Sequence, residues 1–316
     1  MQDILLPAVR QAMALCQQVQ QQIVVRSEKA GSEPVTIADY GSQALICRAI
    51  QAAFPEDAVI AEESGDQFTE LVATPERQAV IRLLGEILGE PVSEAQVIDW
   101  LNFGRERQAP RTWTIDPVDG TKGFLKLRRY CIAVALIEQG HVTEGILGCP
   151  EYVTPQGKGL LFYTHKGAAY AQGDDRQARA IQVSTRTATL QVVESVEGSH
   201  VTHQLLHETY AEAGLEVAHL EQFDGQDKYA MIAAGDADLY VRVSARQNYA
   251  HKIWDHAAGT VLVLAAGGTV TDPLGQPLDF SQGSYLPNKG MVISNGLIHT
   301  QVMAVLPQII QRYPPE

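Results

Sequence analysis

Several features are scarce in this chain, and each scarcity removes a class of protein. Its 316 residues include only four cysteines, Cys16, Cys47, Cys131 and Cys149. None forms a CxxC pair or shares a metal-ligand spacing with His, so a zinc ribbon or disulfide framework finds no support. They read as small buried apolar residues in a reducing compartment. Basic charge is also scarce: 24 Lys and Arg stand against 37 Asp and Glu, a formal net charge of −13. That argues against a general nucleic-acid binder, which presents a basic face. A small nucleotide ligand remains compatible, because bound cations reverse the local field. No apolar run is long enough to cross a membrane. The opening Met1-Gln2-Asp3 lacks a basic n-region, so no signal peptide is expected. There is no repeat or low-complexity tract. What remains is an ordinary globular composition, 45% hydrophobic and 19% charged. The length suits about two domains. A polar stretch places their expected boundary at 180, giving 1–180 and 181–316. The expected compartment is cytoplasmic.

The most informative stretch is Trp113-Thr114-Ile115-Asp116-Pro117-Val118-Asp119-Gly120-Thr121. β-Prone residues from Thr112 to Ile115 predict a strand. Asp-Pro and Asp-Gly then predict a hard turn. Asp116 and Asp119 can converge on one point there, with the Val118 carbonyl between them. Such an oxygen-rich, anionic set suits a hard divalent cation such as Mg2+. Gly120 lets the backbone approach a ligand. Thr121 supplies a hydroxyl to cap a following helix or orient a water. A lone DxxDG is ordinarily a turn with two solvated carboxylates. Three more acidic stretches change that reading.

The first is Asp39, in the first turn of a helix expected from about Thr36 to Phe54. The second is Glu62-Glu63, which ends the short buried strand Ala58 to Ala61. The third is Asp255, in the first turn of a long apolar helix expected over 253–266. There the small Ala257, Ala258 and Gly259 permit close packing. Taken singly, Asp39 and Asp255 compensate a helix dipole, and the Glu pair lies on the surface. Around them, a 3.6-residue period predicts a helix over 3–25. Helical patterns at 77–88 and 93–103 carry no assigned chemistry. Strands at 131–137, 142–148, 160–163 and 168–170 predict an antiparallel sheet in the first half. The second half alternates strand and helix, an α/β layer.

Asp116-Pro117-Val118-Asp119-Gly120-Thr121 resembles the metal motif of the inositol monophosphatase superfamily of Mg2+-dependent, Li+-sensitive phosphatases. Trp254-Asp255-His256-Ala257-Ala258-Gly259 resembles that superfamily's second metal motif. Three stretches are similar to one branch, the 3'(2'),5'-bisphosphate nucleotidases. They are Trp113 to Leu125, Lys252 to Gly259, and Asp272 with Pro277-Leu278-Asp279-Phe280. The resemblance implies an α+β / α/β fold, a layered αβαβα sandwich of the inositol monophosphatase / fructose-1,6-bisphosphatase type. It implies removal of the 3'-phosphate of 3'-phosphoadenosine 5'-phosphate, and of the corresponding phosphosulfate, by in-line attack of water. No covalent enzyme intermediate is expected.

The same resemblance implies site roles. Glu62, Asp116 and the Val118 carbonyl would hold one Mg2+, and Asp116, Asp119 and Asp255 a second. A third ion would lie near Glu62. Glu63 would point elsewhere, because neighbours on an extended chain face opposite sides. Asp39, in Pro34-Val35-Thr36-x-x-Asp39, and Thr121 would polarise the attacking water. Thr121, His200, Gly225, Lys228, Arg242 and Asp255 match substrate contacts. Of these, His200, Lys228 and Arg242 form a basic triad for the 5'-phosphate and ribose. Gly225 and Val201 stand where the branch usually has Ser, and the lost hydroxyls would weaken the nucleotide fit or broaden specificity. The expected partner is a small nucleotide, with no nucleic acid and no membrane, and the chain would act as a monomer or homodimer. Two readings compete: a broader inositol or sugar phosphatase, and a non-catalytic nucleotide sensor. The acids filling every metal position argue against the sensor.

Overall fold

A computed structural model describes residues 1–26, 34–154, 157–196, 199–243 and 250–313, with the side chains of 22–26, 34–35 and 200 outside that description. The first half runs α1 (Gln2–Arg26), α2 (Pro34–Ala53), β1 (Ala58–Ala61), α3 (Gly65–Leu71), α4 (Thr74–Leu88), α5 (Glu94–Asn102), β2 (Arg111–Asp119) and α6 (Thr121–Leu125). It continues through β3 (Cys131–Glu138), β4 (His141–Thr154), β5 (Gly157–His165), β6 (Ala168–Gln172) and β7 (Ala178–Ala180). These strands form one seven-stranded sheet in sequence order. The sheet is not wholly antiparallel as expected: β1 pairs parallel with β2, because α3, α4 and α5 carry the chain back across the sheet between them. The remaining neighbours are antiparallel.

β3 shows how the sheet is covered. Ile132, Val134 and Leu136 join the core under α1 and α2, with Leu5, Val9, Leu45 and Ile46. Cys131, Ala133, Ala135 and Ile137 join a second core on the opposite face. A two-residue period distributes one continuous apolar run over both faces.

The second half runs β8 (Leu190–Glu194), α7 (His200–Glu212), β9 (Val217–Gln222), α8 (Asp227–Ala233), β10 (Leu239–Val243), β11 (His251–Lys252) and α9 (Ala257–Ala265). It ends with β12 (Thr269–Thr271), β13 (Tyr285–Leu286), β14 (Gly290–Ser294) and α10 (His299–Arg312). Five strands form a mixed sheet in the order β12-β14-β10-β8-β9, and β11 pairs with β13. Tyr240, Met291 and Ile293 face the second core, which contains Tyr229 and Ala230 of α8 and Ala258 and Leu262 of α9. Leu239, Val241 and Val292 face a third core with Leu205 and Leu206 of α7 and Val302 and Leu306 of α10. The layers are therefore helices, sheet, helices, sheet, helices: the αβαβα sandwich. The middle layer packs tightly because glycines line it. A Cβ at Gly145 of β4 would stand 2.7 Å from the Ala258 oxygen, and one at Gly259 would stand 2.4 Å from the Tyr229 ring. Among the described residues, no helix is long and apolar enough to cross a membrane.

Candidate active site

The acidic stretch at 116–119 is not a free turn. β2 pairs with β3 at Asp116↔Ala133 and again at Asp119↔Cys131, with the register slipping between them. The result is a bulge, a device that re-aims side chains at a strand end. The Asp116 carboxylate accepts from Val118 N at 3.2 Å, and Ser42 of α2 donates to the Pro117 carbonyl at 3.0 Å. The turn itself falls at Gly120, whose φ of +93° is left-handed. A Cβ there would meet the backbone of Asp224 and Gly225 at 3.4 Å. Thr121 opens α6 without capping it; its hydroxyl donates to the Val118 carbonyl at 3.3 Å.

Glu62, Asp116, Val118, Asp119, Thr121 and Asp255 line one cavity of about 290 Å³. Gly225, Gln226, Lys228, Tyr240 and Arg242 also line its wall. Asp116 is buried at the floor, at 4% exposure. Burial, then Glu62, Asp119, Asp255 and Asp39, push its carboxyl well above the ordinary range. Glu62, open to solvent on one side, is pushed to about 7 by surrounding protein atoms, then by Glu63 and Asp119. Asp255 is also pushed to about 7, by burial and then by Asp119 and Glu62. Asp119 is raised by burial but held down by Lys228, by bonds from Gln226 and by Arg242.

This donor set is all oxygen and gathers several like charges, which the nearby cations offset in part. It fits a hard divalent cation, which would relieve the repulsion and take carboxylate and carbonyl ligands. Among the described residues, no three acidic, His or Cys side chains already stand closed around a single point.

Two expectations shift. Asp39 lies in the second turn of α2, not the first, because the helix starts at Pro34. Its side chain is buried outside the cavity wall, and burial, then Glu62 and Glu63, hold its carboxyl well up. Asp255 is not in the first turn of α9. It sits in the turn before the His256 N-cap, behind the short β11 strand. Behind it, the Tyr229 hydroxyl, His256 and His251 form a chain of contacts at 3.0 and 3.2 Å. Glu63 faces away as expected. Its carboxylate meets Tyr40, and its backbone bonds Gln43 at 2.8 and 2.9 Å.

The basic residues separate. Lys228 is only 2% exposed, and its ammonium donates to the Phe223 and Gly225 carbonyls at 3.0 and 2.7 Å. The rings of Phe223 and Tyr240 lie 5.1 and 5.2 Å away. Arg242 is half-buried in the wall. The side chain of His200 lies outside the described residues. A further cation, Lys252, sits 3.9 Å from the Tyr285 ring centre and 4.9 Å from that of Trp254, and it draws Glu62 and Asp255 downward.

Gly225 is more than a missing hydroxyl. Its φ is +90°, and a Cβ would stand 3.0 Å from the Asp119 carbonyl and 3.1 Å from Asp227 Oδ1. Gly225→Ser is therefore expected to lose about 1–2 kcal/mol of stability through left-handed strain alone. A denaturant titration reads this as a lower midpoint with unchanged slope. An unchanged or raised midpoint would refute the strain. Gln226, Tyr240 and Lys122 also line the cavity, and sequence reasoning missed all three. An amide, a tyrosine and a lysine fit no acidic or phosphate motif by spacing. The available signals were the adjacency of Gln226 to Gly225 and the place of Lys122 beside Thr121 within the branch-like stretch 113–125.

Carboxylates and fixed cations share the lining of one cavity in an αβαβα sandwich, the setting of a phosphatase. The sequence matches the inositol monophosphatase family over residues 1–311, and the chain belongs to that family, whose members depend on divalent metal. It is 33% identical to the 3'(2'),5'-bisphosphate nucleotidase 2 of Candida albicans, over 96% of this chain and 95% of that one. It is 34% identical to the probable 3'(2'),5'-bisphosphate nucleotidase 4 of Arabidopsis thaliana, over 96% and 93%. Among solved structures, the fold is shared with an inositol monophosphatase from Thermotoga maritima at TM-score 0.61 and 21% identity, over 96% and 97%. It is shared equally with one from Anabaena at TM-score 0.60 and 20% identity, over 99% and 97%.

Proposed function

We propose that the chain hydrolyses the 3'-phosphate of 3'-phosphoadenosine 5'-phosphate with Mg2+. The observation that carries this reading is the division of charge within one cavity. Glu62, Asp116, Asp119 and Asp255 supply anionic oxygen, while Lys228 and Arg242 supply positive charge in the same wall. A substrate with two phosphates suits such a site, one group reacting at the acids and the other held by Arg242. The likeness to the 3'(2'),5'-bisphosphate nucleotidases of Candida albicans and Arabidopsis thaliana supports the same reading. Glu62, Asp116, the Val118 carbonyl, Asp119 and Asp255 are the residues that would hold two to three Mg2+ ions. Mg2+, when bound, neutralises phosphate charge and makes water a stronger nucleophile.

The chain's own residues do the rest. Thr121, tied to the Val118 carbonyl, presents its hydroxyl at the cavity rim to orient the attacking water. Asp39, buried behind the wall rather than lining it, would take up that water's proton in its ionised form. Arg242 orients the nucleotide by its remote phosphate, so that attack runs in line with the leaving 3'-oxygen.

The test is phosphate release across a panel of 3'-phosphoadenosine 5'-phosphate, inositol 1-phosphate and fructose 1,6-bisphosphate. The expected order puts the nucleotide first in kcat/KM. A preference for either of the others supports the broader phosphatase reading. Nucleotide binding without phosphate release supports the sensor.

Lithium provides a second expected result. Li+ is a small, hard cation that competes for oxygen donors, and the family resemblance implies inhibition in the millimolar range, uncompetitive with substrate. Initial rates in graded LiCl check it, with KCl as control. Full activity at tens of millimolar LiCl would count against the assignment.

A further inference from the structure

We propose that Gln226 is a positioning residue that holds the two acid-bearing loops in register, an inference that rests on the phosphatase reading above. Gln226 is 1% exposed and bonds three residues in two distant parts of the chain. Its backbone N–H donates to the Asp119 carboxylate at 2.7 Å. Its side-chain Nε2 donates to the Trp254 carbonyl at 2.8 Å. Its Oε1 accepts from the Gly259 backbone N–H at 3.1 Å. Asp119 is 107 residues away, and Trp254 and Gly259 are 28 and 33 residues away.

The side-chain bonds bracket Asp255. Trp254 immediately precedes it. Gly259 carries one of the first-turn amides of α9 that no helical carbonyl can reach. The N-cap of α9, His256, makes no side-chain cap bond. The Gln226 amide oxygen supplies that cap from another element. One residue therefore fixes Asp119 with its backbone and the Asp255 turn with its side chain.

That fixation has work to do. Asp119 and Asp255 are like charges when ionised, and they line the same cavity. Left to themselves, loops bearing like charges separate. The carboxamide provides, on two separate atoms, the donor and the acceptor that these two bonds need. Glu at this position keeps the shape but loses the donor, sets an oxygen against the Trp254 carbonyl and adds negative charge to the cluster. Met keeps the approximate length and loses both bonds.

The experiment uses the full-length protein and the variants Gln226→Glu and Gln226→Met. It measures Mg2+ affinity by calorimetry, Mn2+ affinity by electron paramagnetic resonance, the metal-free unfolding midpoint, and kcat and KM separately. Expected is a loss of cation affinity of about tenfold or more, the range seen when groups orienting metal ligands are removed. kcat should fall at saturating metal, with KM moving much less. Gln226→Asn, too short to span both partners, is expected to show the same loss and serves if either longer variant fails to fold.

Unchanged cation affinity in folded variants, with only a lowered unfolding midpoint, overturns the proposal and leaves a purely structural residue. Wild-type protein that binds no divalent cation and releases no phosphate from any panel substrate overturns the phosphatase reading instead. Cation binding measured without substrate keeps the two failures distinguishable.

Discussion

Asp116→Asn is expected to lower kcat by at least about a thousandfold at saturating Mg2+, roughly 4 kcal/mol of barrier at ~1.4 kcal/mol per decade. Asp116 is the hub of the acidic cluster. It feels Glu62, Asp119, Asp255 and Asp39 together, and it is the most deeply buried of the wall carboxylates. Asn preserves the shape and the acceptor for Val118 N, so the bulge should survive. What is lost is one negative charge at the point where both proposed ion sets meet. The fold should not suffer, because removing one of several repelling carboxylates relieves the metal-free protein. An unchanged or raised unfolding midpoint without metal, beside a collapsed kcat, is the expected pair of results. A variant that retains a tenth or more of wild-type kcat would show that Asp116 is not shared between ions.

The acids were legible in the sequence because their chemistry is local. Asp116, Val118 and Asp119 occupy one short stretch, although their order suggested a hard turn where the strand in fact continues through a bulge and turns at Gly120. Glu62 follows a strand short enough to be read from its apolar run. A sheet in each half was legible from the change of pattern, while the αβαβα layer order came only with the family resemblance. What was not legible is long-range. That Lys228 turns inward onto two carbonyls depends on where the Phe223 and Tyr240 rings stand. That Gly225 must be glycine depends on the Asp119 carbonyl, 106 positions earlier, coming within 3.0 Å of a Cβ. The start of α9 was misplaced because Ile253 and Trp254 continue its apolar run, yet β11 pairs with β13 and holds the preceding residues extended. Periodicity reports which residues are buried. It does not report which distant backbone arrives to bury them.

The most discriminating result is expected from a pair of alanine variants. The sequence treats Lys228 and Arg242 alike, as cations for a remote phosphate; the structure separates them. Arg242 is a half-buried wall residue, and a guanidinium matches a phosphate through paired, charge-assisted bonds. Arg242→Ala should cost the bisphosphate nucleotide about 2–5 kcal/mol in kcat/KM, the usual penalty for truncating one partner of a desolvated charge pair. Part of that loss should extend to every substrate, because Arg242 also steadies Asp119 and Asp255 as anions. The excess over the loss on inositol 1-phosphate is the readout, and inositol 1-phosphate has no second phosphate to lose. Lys228→Ala should behave differently. It removes the donor that ties the Phe223 and Gly225 carbonyls, along with the leading countercharge on Asp119. Both substrates should then fall by the same factor, with a lowered unfolding midpoint. Equal losses on both substrates for Arg242→Ala would move the remote-phosphate contact elsewhere in the wall. A loss confined to the bisphosphate for Lys228→Ala would return that role to the buried ammonium.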